Sequence, residues 1–191
     1  MSMLRTQVTS ADHIQGPMDA PVTLVEYGDY ECGYCGLAFP NIKWVQKRFA
    51  KKLRFVFRHF PLTEAHPFAE AAAEAAEYAG THDLFWEMHD GLYTNQDELG
   101  LALILSLGSA LGLSDLGLRD ALAQRRFAGK IQADFLGGVR SGVNGTPSFF
   151  INGEKHAGSY SYQELAAAID AHLQAIPAVE AHPISIVRAP F

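Results

Sequence analysis

The chain has few cysteines, and their scarcity excludes two common reasons for keeping them. Only Cys32 and Cys35 occur among 191 residues, too few for a disulfide framework or for a complete all-cysteine zinc site. A bridge between positions so close would close a very short loop and add little stability. Because 48% of the residues are hydrophobic, the chain can bury a full core without such a bridge. Redox chemistry is therefore the leading explanation for the pair.

The sequence also lacks long apolar runs and strongly basic stretches. Its longest nearly uncharged run, LGLALILSLGSALGL (99–113), falls short of a bilayer span; we expect no membrane span and predict a buried helix, with a self-association face and a homodimer as the alternative. A net charge of −6, with KRFAKKLR (47–54) as the exceptional basic cluster, argues against nucleic acid as a partner. The N-terminus has no continuous apolar region of the kind that a secretory signal needs, so we expect a cytoplasmic protein.

The two cysteines follow a predicted strand and open a predicted helix. VTLVEYG (22–28) is an apolar, β-branched run that predicts a central strand buried on both faces. Apolar residues then recur at helical spacing from Cys32 to about Ala50, and LRFVFRHF (53–60) predicts a second strand. Strand, helix and strand with short joints indicate a parallel crossover.

Residues 63–138 have the pattern of consecutive helices. Thr81 is placed to cap HDLFWEMHDGLY, and Ser114 to cap a longer helix through LRDALAQRRFAGKIQADF. A stretch of this length is too long for a loop, so we predict an all-helical subdomain inserted into an α/β domain formed by residues 1–62 and 139–191.

Sheet signals return near the C-terminus. PSFFINGEKHAG (147–158) contains an Asn-Gly dipeptide, which predicts a two-residue hairpin turn. Ser161 and Glu164 form a capping box for a last helix. The apolar tail at 177–191 permits no prediction of its role.

The position of the cysteines at a helix start gives them different chemistry. If Cys32 is the N-cap, the backbone N–H groups of Gly33, Tyr34 and Cys35 lack partners within the helix and can donate to a thiolate. Cys32 is then an exposed nucleophile with a lowered pKa, and Cys35 is the more buried thiol that resolves a mixed disulfide. The alternative is a pair of ordinary thiols that happen to be close.

Glu26 is unusual because a carboxylate in an apolar central strand is costly unless it is paired or protonated. Buried beneath the cysteines, it is a candidate general acid or base that exchanges a proton with Cys35 through water. The alternative is an ion pair with Arg58.

Thr146 and Pro147 follow a glycine-rich turn and begin a strand in GVNGTPSFF (142–150). Their bond is a candidate for the cis isomer, which would leave the backbone of Thr146 free to pair with an extended peptide. An ordinary strand-starting proline is the alternative.

Eight histidines do not form a metal-binding pattern. His82 and His89 could share a helix face and His66 precedes them, but none has the ligand spacing of a known site, so we expect no metal. A structural role is expected for His59.

Five stretches together resemble the DsbA-like thiol:disulfide oxidoreductases of the thioredoxin superfamily. They are EYGDYECGYC, RHFPL, HPFAEAAAEAAEYAG, FWEMHDGLY and GVNGTPSFFING, and the resemblance runs from about Pro21 to Ile176. It implies a thioredoxin fold interrupted by a helical insert, in agreement with the pattern of elements.

The resemblance also implies roles for individual residues. Cys32 matches the nucleophile, Cys35 the resolving cysteine, Glu26 the buried acid, and Thr146-Pro147 the cis-proline loop beside the disulfide. Substrates would be cysteine-containing proteins, which contact the site around Gly33, Tyr34 and the cis-proline loop and are held briefly as mixed disulfides.

The same resemblance implies no organic cofactor, and recycling by a redox partner or glutathione. Two departures from the family matter. Gly33-Tyr34 lacks the histidine of strongly oxidising members, which makes a strong oxidant less expected, and the export signal of the best-known members is missing. The direction of electron transfer cannot be predicted. Two rival functions stay open: a non-catalytic peptide-binding or chaperone-like module, and a glutathione-dependent transferase or isomerase on a related scaffold.

Overall fold

A five-stranded mixed sheet forms the centre of the structure, a computed structural model that describes residues 2–175. The strands lie in the order β1-β3-β2-β4-β5, with β2 and β3 parallel and the other neighbours antiparallel. Their bounds are β1 His13–Gln15, β2 Val22–Gly28, β3 Leu53–His59, β4 Ser148–Ile151 and β5 Glu154–Lys155. The two strands predicted at 22–28 and 53–60 are confirmed, as is the hairpin turn between β4 and β5.

Seven α-helices accompany the sheet within the described residues. They are α1 Gly33–Phe49, α2 Ala69–Gly80, α3 Phe85–Thr94, α4 Leu101–Ala110, α5 Asp115–Gln124, α6 Ala128–Arg140 and α7 Tyr162–Ala175. Short 3₁₀ turns lie at Ala50–Lys52 and Gln96–Glu98. The helix predicted to begin at the cysteines is α1, and α2 to α6 form the predicted helical insertion between β3 and β4. None of these helices has both the length and the apolar character to span a membrane.

Apolar side chains on both faces of β2 and β3 bury the middle of the sheet. Leu24 and Phe55 belong to a large cluster on one face, with residues of α1, α3 and α7. Val25 and Val56 belong to a smaller cluster on the other face, which includes Phe135 of α6. Successive strand residues point to opposite faces, so continuous apolar runs such as VTLV fit a two-sided core.

Three details of the helical predictions are wrong. The helix predicted to run on from Ser114 is two helices, because Arg125 adopts a left-handed conformation with φ of 48° and ends α5. Ser114 does cap α5, accepting a hydrogen bond from Gly117 N at 3.1 Å. Thr81 does not cap α3; its hydroxyl donates to the Tyr78 carbonyl oxygen at 2.7 Å. The run at 99–113 forms α4, but this helix is only partly buried, and Leu101 is 48% exposed.

The predicted capping box of α7 is half formed. Ser161 Oγ accepts from Glu164 N at 3.3 Å, but Glu164 Oε2 accepts from Ser159 N rather than from Ser161. The tail 177–191 lies outside the described residues.

Candidate active site

Cys32 and Cys35 lie at the start of α1, after the short segment that follows β2. Cys32 is the N-cap of α1 in an extended conformation, and Cys35 is inside the first turn. Both are free thiols. Cys32 is only 5% exposed and Cys35 is fully buried, so the prediction of an exposed Cys32 is wrong, although Cys32 still lines an open cleft of about 610 Å³.

The helix start and the neighbouring thiol favour ionisation of Cys32. A hydrogen bond from Cys35 lowers the pKa of the Cys32 thiol most, burial opposes this, and the Thr146 side chain and the N–H groups of Cys35 and Tyr34 lower it further. The resulting pKa is about 5, against an ordinary value of 9.0. Cys32 is therefore a thiolate at neutral pH, as the unpartnered N–H groups of a helix start predict.

The surroundings of Cys35 have the opposite effect. Burial raises the pKa of Cys35 well above 9.0, and its hydrogen bond to Cys32 and the negative charges of Glu26 and Cys32 raise it further. Cys35 thus keeps its proton and donates it in a hydrogen bond. The cysteine motif therefore contains an ionised nucleophile, Cys32, and a protonated partner, Cys35.

Glu26 lies in β2 beneath the cysteines and is 1% exposed. Neither of its carboxylate oxygens has a hydrogen-bond partner among the described residues. Burial, and secondarily the charge of Cys32, raise the pKa of Glu26 to about 8. The alternative ion pair with Arg58 is wrong, because Arg58 Nε donates to Asp12 at 2.7 Å and its Nη1 to the Tyr27 hydroxyl at 2.9 Å.

The loop at Thr146 and Pro147 lies against Cys32, although 114 positions separate Thr146 from Cys32 in sequence. The peptide bond between Thr146 and Pro147 is cis. As a thiol, Cys32 donates through Sγ to the Thr146 carbonyl oxygen at 3.3 Å. The Thr146 hydroxyl is buried and unpartnered among the described residues, so it is available to donate to a thiolate.

Gly33 and Tyr34 form the outer edge of the site. A side chain at Gly33 would have open space, with nothing within 4 Å of an added Cβ, and Tyr34 is 64% exposed. Both residues are accessible to a substrate, and their role in binding one stays a prediction.

The helical insertion contributes a residue that sequence reasoning missed. Gln96 Nε2 donates to the carbonyl oxygens of Tyr30 at 2.7 Å and Cys32 at 3.0 Å. The insertion therefore holds the backbone of the cysteine motif directly. A glutamine in a short turn, 64 positions from Cys32, gives no sequence signal of this contact.

A histidine–glutamate group near the sheet edge was also missed. His13 and His59 donate from Nε2 to the same oxygen, Glu77 Oε1, at 2.8 and 2.9 Å. The three ligand atoms lie within 4.8 Å of one another, a separation that a metal ion could bridge. Because a carboxylate only accepts, the two short contacts place a proton on each nitrogen, and the group is satisfied as a hydrogen-bonded network joining β1, β3 and α2. This agrees with a structural role for His59.

A mixed sheet with two cysteines at a helix start, a cis-proline loop beside them and a helical insertion defines a protein of the thioredoxin fold with an inserted helical subdomain. The chain belongs to the Thioredoxin_4 family, whose model, described as thioredoxin, matches residues 8–171. The predicted fold class and family resemblance are confirmed.

Solved structures share this fold. BdbD from Bacillus subtilis, in its oxidised form, has a TM-score of 0.81 at 23% identity, covering 91% of this chain and 98% of BdbD. The thiol-disulfide exchange protein alpha-DsbA2 from Wolbachia pipientis has a TM-score of 0.74 at 20% identity, covering 85% of this chain and 87% of that protein.

A curated relative is closer in sequence but much longer. The Na(+)/H(+) antiporter NhaA 1 of Salinispora arenicola is 49% identical over 158 residues, which are 83% of this chain and 24% of the antiporter. The chain thus spans about a quarter of the length of this relative.

Proposed function

We propose that the chain is a thiol:disulfide oxidoreductase that exchanges disulfides with protein thiols through Cys32 and Cys35. The observation that supports this most strongly is the division between a Cys32 with a lowered pKa and a Cys35 with a raised one. An ionised nucleophile beside a protonated resolving thiol is what a two-step exchange requires. The scheme uses no organic cofactor.

In the direction that oxidises a substrate, the disulfide form of the protein reacts first. A substrate thiolate attacks Sγ of Cys32, the bond between Cys32 and Cys35 breaks, and the Cys35 sulfur takes the electron pair and a proton, which Glu26 supplies through water. A second substrate thiolate then attacks the substrate sulfur of the mixed disulfide, and Cys32 leaves as a thiolate. Two substrate sulfurs have lost two electrons to the cysteine pair. The reverse sequence reduces a substrate disulfide.

The pKa of Cys32 bears on the direction of transfer. A value of about 5 lies between those of about 7 for thioredoxin and about 3.5 for DsbA. A stabilised thiolate stabilises the reduced form, so we place the reduction potential between about −270 mV and about −120 mV. This range agrees with a motif that lacks the histidine of strong oxidants. A redox partner or glutathione would return the pair to its starting state.

Cysteine-containing proteins are the proposed substrates. An extended segment would pair with the backbone at Thr146, which places its cysteine next to Cys32. Antiport is named for a relative of which the match to this chain covers 24% and forms no part of the proposal. The expected cytoplasmic location stays a prediction.

Covalent trapping tests the proposed function. Cys35→Ser, incubated with a cysteine peptide activated as an aromatic disulfide, should accumulate a mixed disulfide at Cys32, located by intact mass and peptide mapping. Cys32→Ser, the matched control, should form none.

The two rival functions predict different properties for the same two variants. A peptide-binding module would keep its peptide affinity in Cys32→Ser, and the wild type would exchange no disulfide. A glutathione-dependent transferase would turn over small electrophiles with glutathione and would keep that activity in Cys35→Ser.

A further inference from the structure

The cleft beside Cys32 is lined by a titratable side chain, His66, that the exchange scheme does not use. Ten of the described residues line this cleft, and among these ten His66 alone can carry a positive charge. His66 lies between β3 and α2, and its side chain is 21% exposed. A substrate sulfur that approaches Cys32 therefore enters a space that His66 also lines.

A buried carboxylate fixes the orientation of His66. Asp29 Oδ2 accepts from His66 Nδ1 at 2.7 Å and from Leu62 N at 2.8 Å, while Oδ1 accepts from Glu31 N at 2.8 Å. The Asp29 side chain is fully buried. With three donors around it, this carboxylate joins the end of β2, the segment after β3 and His66 into one unit.

The bond to Asp29 selects one tautomer of His66. Because the carboxylate accepts the proton of Nδ1, the neutral ring carries its lone pair on Nε2. The same arrangement orients the histidine of a Ser-His-Asp triad as a base. Nε2 is thus the nitrogen that can take a proton from a group in the cleft.

The charges around His66 raise its pKa. In the reduced protein, burial lowers the pKa of His66, but the hydrogen bond and charge of Asp29, followed by the charges of Cys32 and Glu31, raise it above 6.5 overall. In the disulfide form Cys32 carries no charge, and Asp29 and Glu31 act in this direction without it. Asp97, which also lines the cleft, carries the same sign of charge as these groups. Nearby negative charge stabilises the imidazolium that forms when Nε2 accepts a proton.

We infer that His66, oriented by Asp29, removes the proton from a substrate thiol as that thiol attacks Cys32. The inference deepens the proposed thiol–disulfide exchange and depends on it. Glu26 serves the buried sulfur of Cys35, whereas His66 serves the substrate sulfur in the cleft. The two proton transfers then occur on opposite sides of the reacting disulfide.

The substrate S–H proton moves to His66 Nε2, the substrate sulfur bonds to Sγ of Cys32, and the electron pair of the broken disulfide goes to the Cys35 sulfur. The imidazolium afterwards releases its proton to solvent. In the reverse direction, it returns the proton to the departing substrate sulfur.

Two reductants that differ in their need for a base test the role of His66. Oxidised protein is mixed with excess glutathione, a thiol that is mostly protonated at pH 7, or with excess selenocysteamine, a selenol that is already ionised and reduces disulfides readily. We expect His66→Gln to slow the reaction with glutathione at least tenfold and to leave the reaction with the selenol within about twofold of wild type. His82→Gln, at an exposed histidine outside the cleft, is the matched control and should change neither rate.

A second variant separates proton transfer from charge, and it also serves if His66→Gln folds poorly. His66→Lys keeps a positive charge but holds its proton at neutral pH, so it should be as slow with glutathione as His66→Gln. Wild-type rates with glutathione in His66→Lys, equal losses with both reductants, or no loss in either variant would overturn the role as a base. A wild-type protein that reacts with neither reductant would instead contradict the exchange itself.

Discussion

Glu26 and Glu77 are both buried glutamates, but their surroundings are opposite. Glu77 accepts hydrogen bonds from two histidines, and these bonds hold its pKa well below the ordinary value of 4.5 even though burial acts to raise it. Glu26 has no hydrogen-bond partner among the described residues, and its pKa rises to about 8. A satisfied carboxylate stabilises the fold, whereas an unpartnered one next to a reactive sulfur is a cost to stability that a proton-transfer role explains.

The largest expected effect follows from removing the satisfied carboxylate. Glu77→Ala leaves the Nε2 groups of the buried His59 and the part-buried His13 without an acceptor, so we expect a loss of about 2–6 kcal/mol in the free energy of unfolding. Urea denaturation measures it. Glu70→Ala in the same helix removes only a surface contact with Arg125 and should cost less than about 1 kcal/mol. Equal losses in the two variants would contradict the comparison.

Removing the unpartnered carboxylate of Glu26 should raise the free energy of unfolding rather than lower it. At pH 7 the Glu26 carboxyl ionises in the unfolded chain but is held protonated in the fold, and Glu26→Gln removes the cost of this difference. We therefore expect the free energy of unfolding of Glu26→Gln, relative to that of wild type, to be about 3 kcal/mol higher at pH 7 than at pH 4.5. Denaturation of the reduced variant and wild type at both pH values measures this. A stability difference that does not change with pH would show that Glu26 has an ordinary pKa in the folded state.

The two glutamates should also give opposite pH dependences in the wild type. The folded pKa of Glu77 is lowered, so its contribution to stability is present above pH 4.5 and is lost as the pH falls below that value. The folded pKa of Glu26 is raised, so its unfavourable contribution is absent below pH 4.5 and grows as the pH rises toward 8. Midpoints of denaturation from pH 3 to pH 8 should show a larger acid loss in wild type and Glu26→Gln than in Glu77→Ala, in which the lowered pKa of Asp12 still contributes.

The smallest expected effect concerns the coupling between Glu26 and Cys32. Absorbance of the thiolate at 240 nm should titrate with a midpoint of about pH 5 in the wild type. Glu26 is still protonated there because its pKa is about 8, so Glu26→Gln should leave the midpoint unchanged. A clear fall in that midpoint would mean that Glu26 is already charged at pH 5.

The parts of the fold that were predictable are those that local sequence determines. The apolar run at Val22–Gly28 and the helical spacing after Cys32 gave β2 and α1 within one or two residues, because burial imposes those periods. β1 is only three residues long and shows no such pattern. The break at Arg125 was missed because a non-glycine residue in the left-handed region has no reliable sequence signal.

The features of the site also separate into those that local sequence predicts and those that it does not. The ionisation of Cys32 could be predicted from its place at a helix start, and the burial of Glu26 from its apolar strand. The contacts of Gln96, Glu77 and His66 could not be predicted, since each joins elements that are distant in sequence. Arg58 illustrates the limit: its charge suggested a partner for Glu26, but the N-terminal segment supplies Asp12 instead.

The redox equilibrium of Cys32 and Cys35 tests the central claim most directly. The protein would be equilibrated in graded glutathione buffers, its free thiols trapped by alkylation, and the trapped thiols counted by mass. We predict that both thiols disappear together as one intramolecular disulfide, with a midpoint above the value of about −270 mV for thioredoxin. Two free thiols at every glutathione ratio would contradict disulfide exchange as the function of this site.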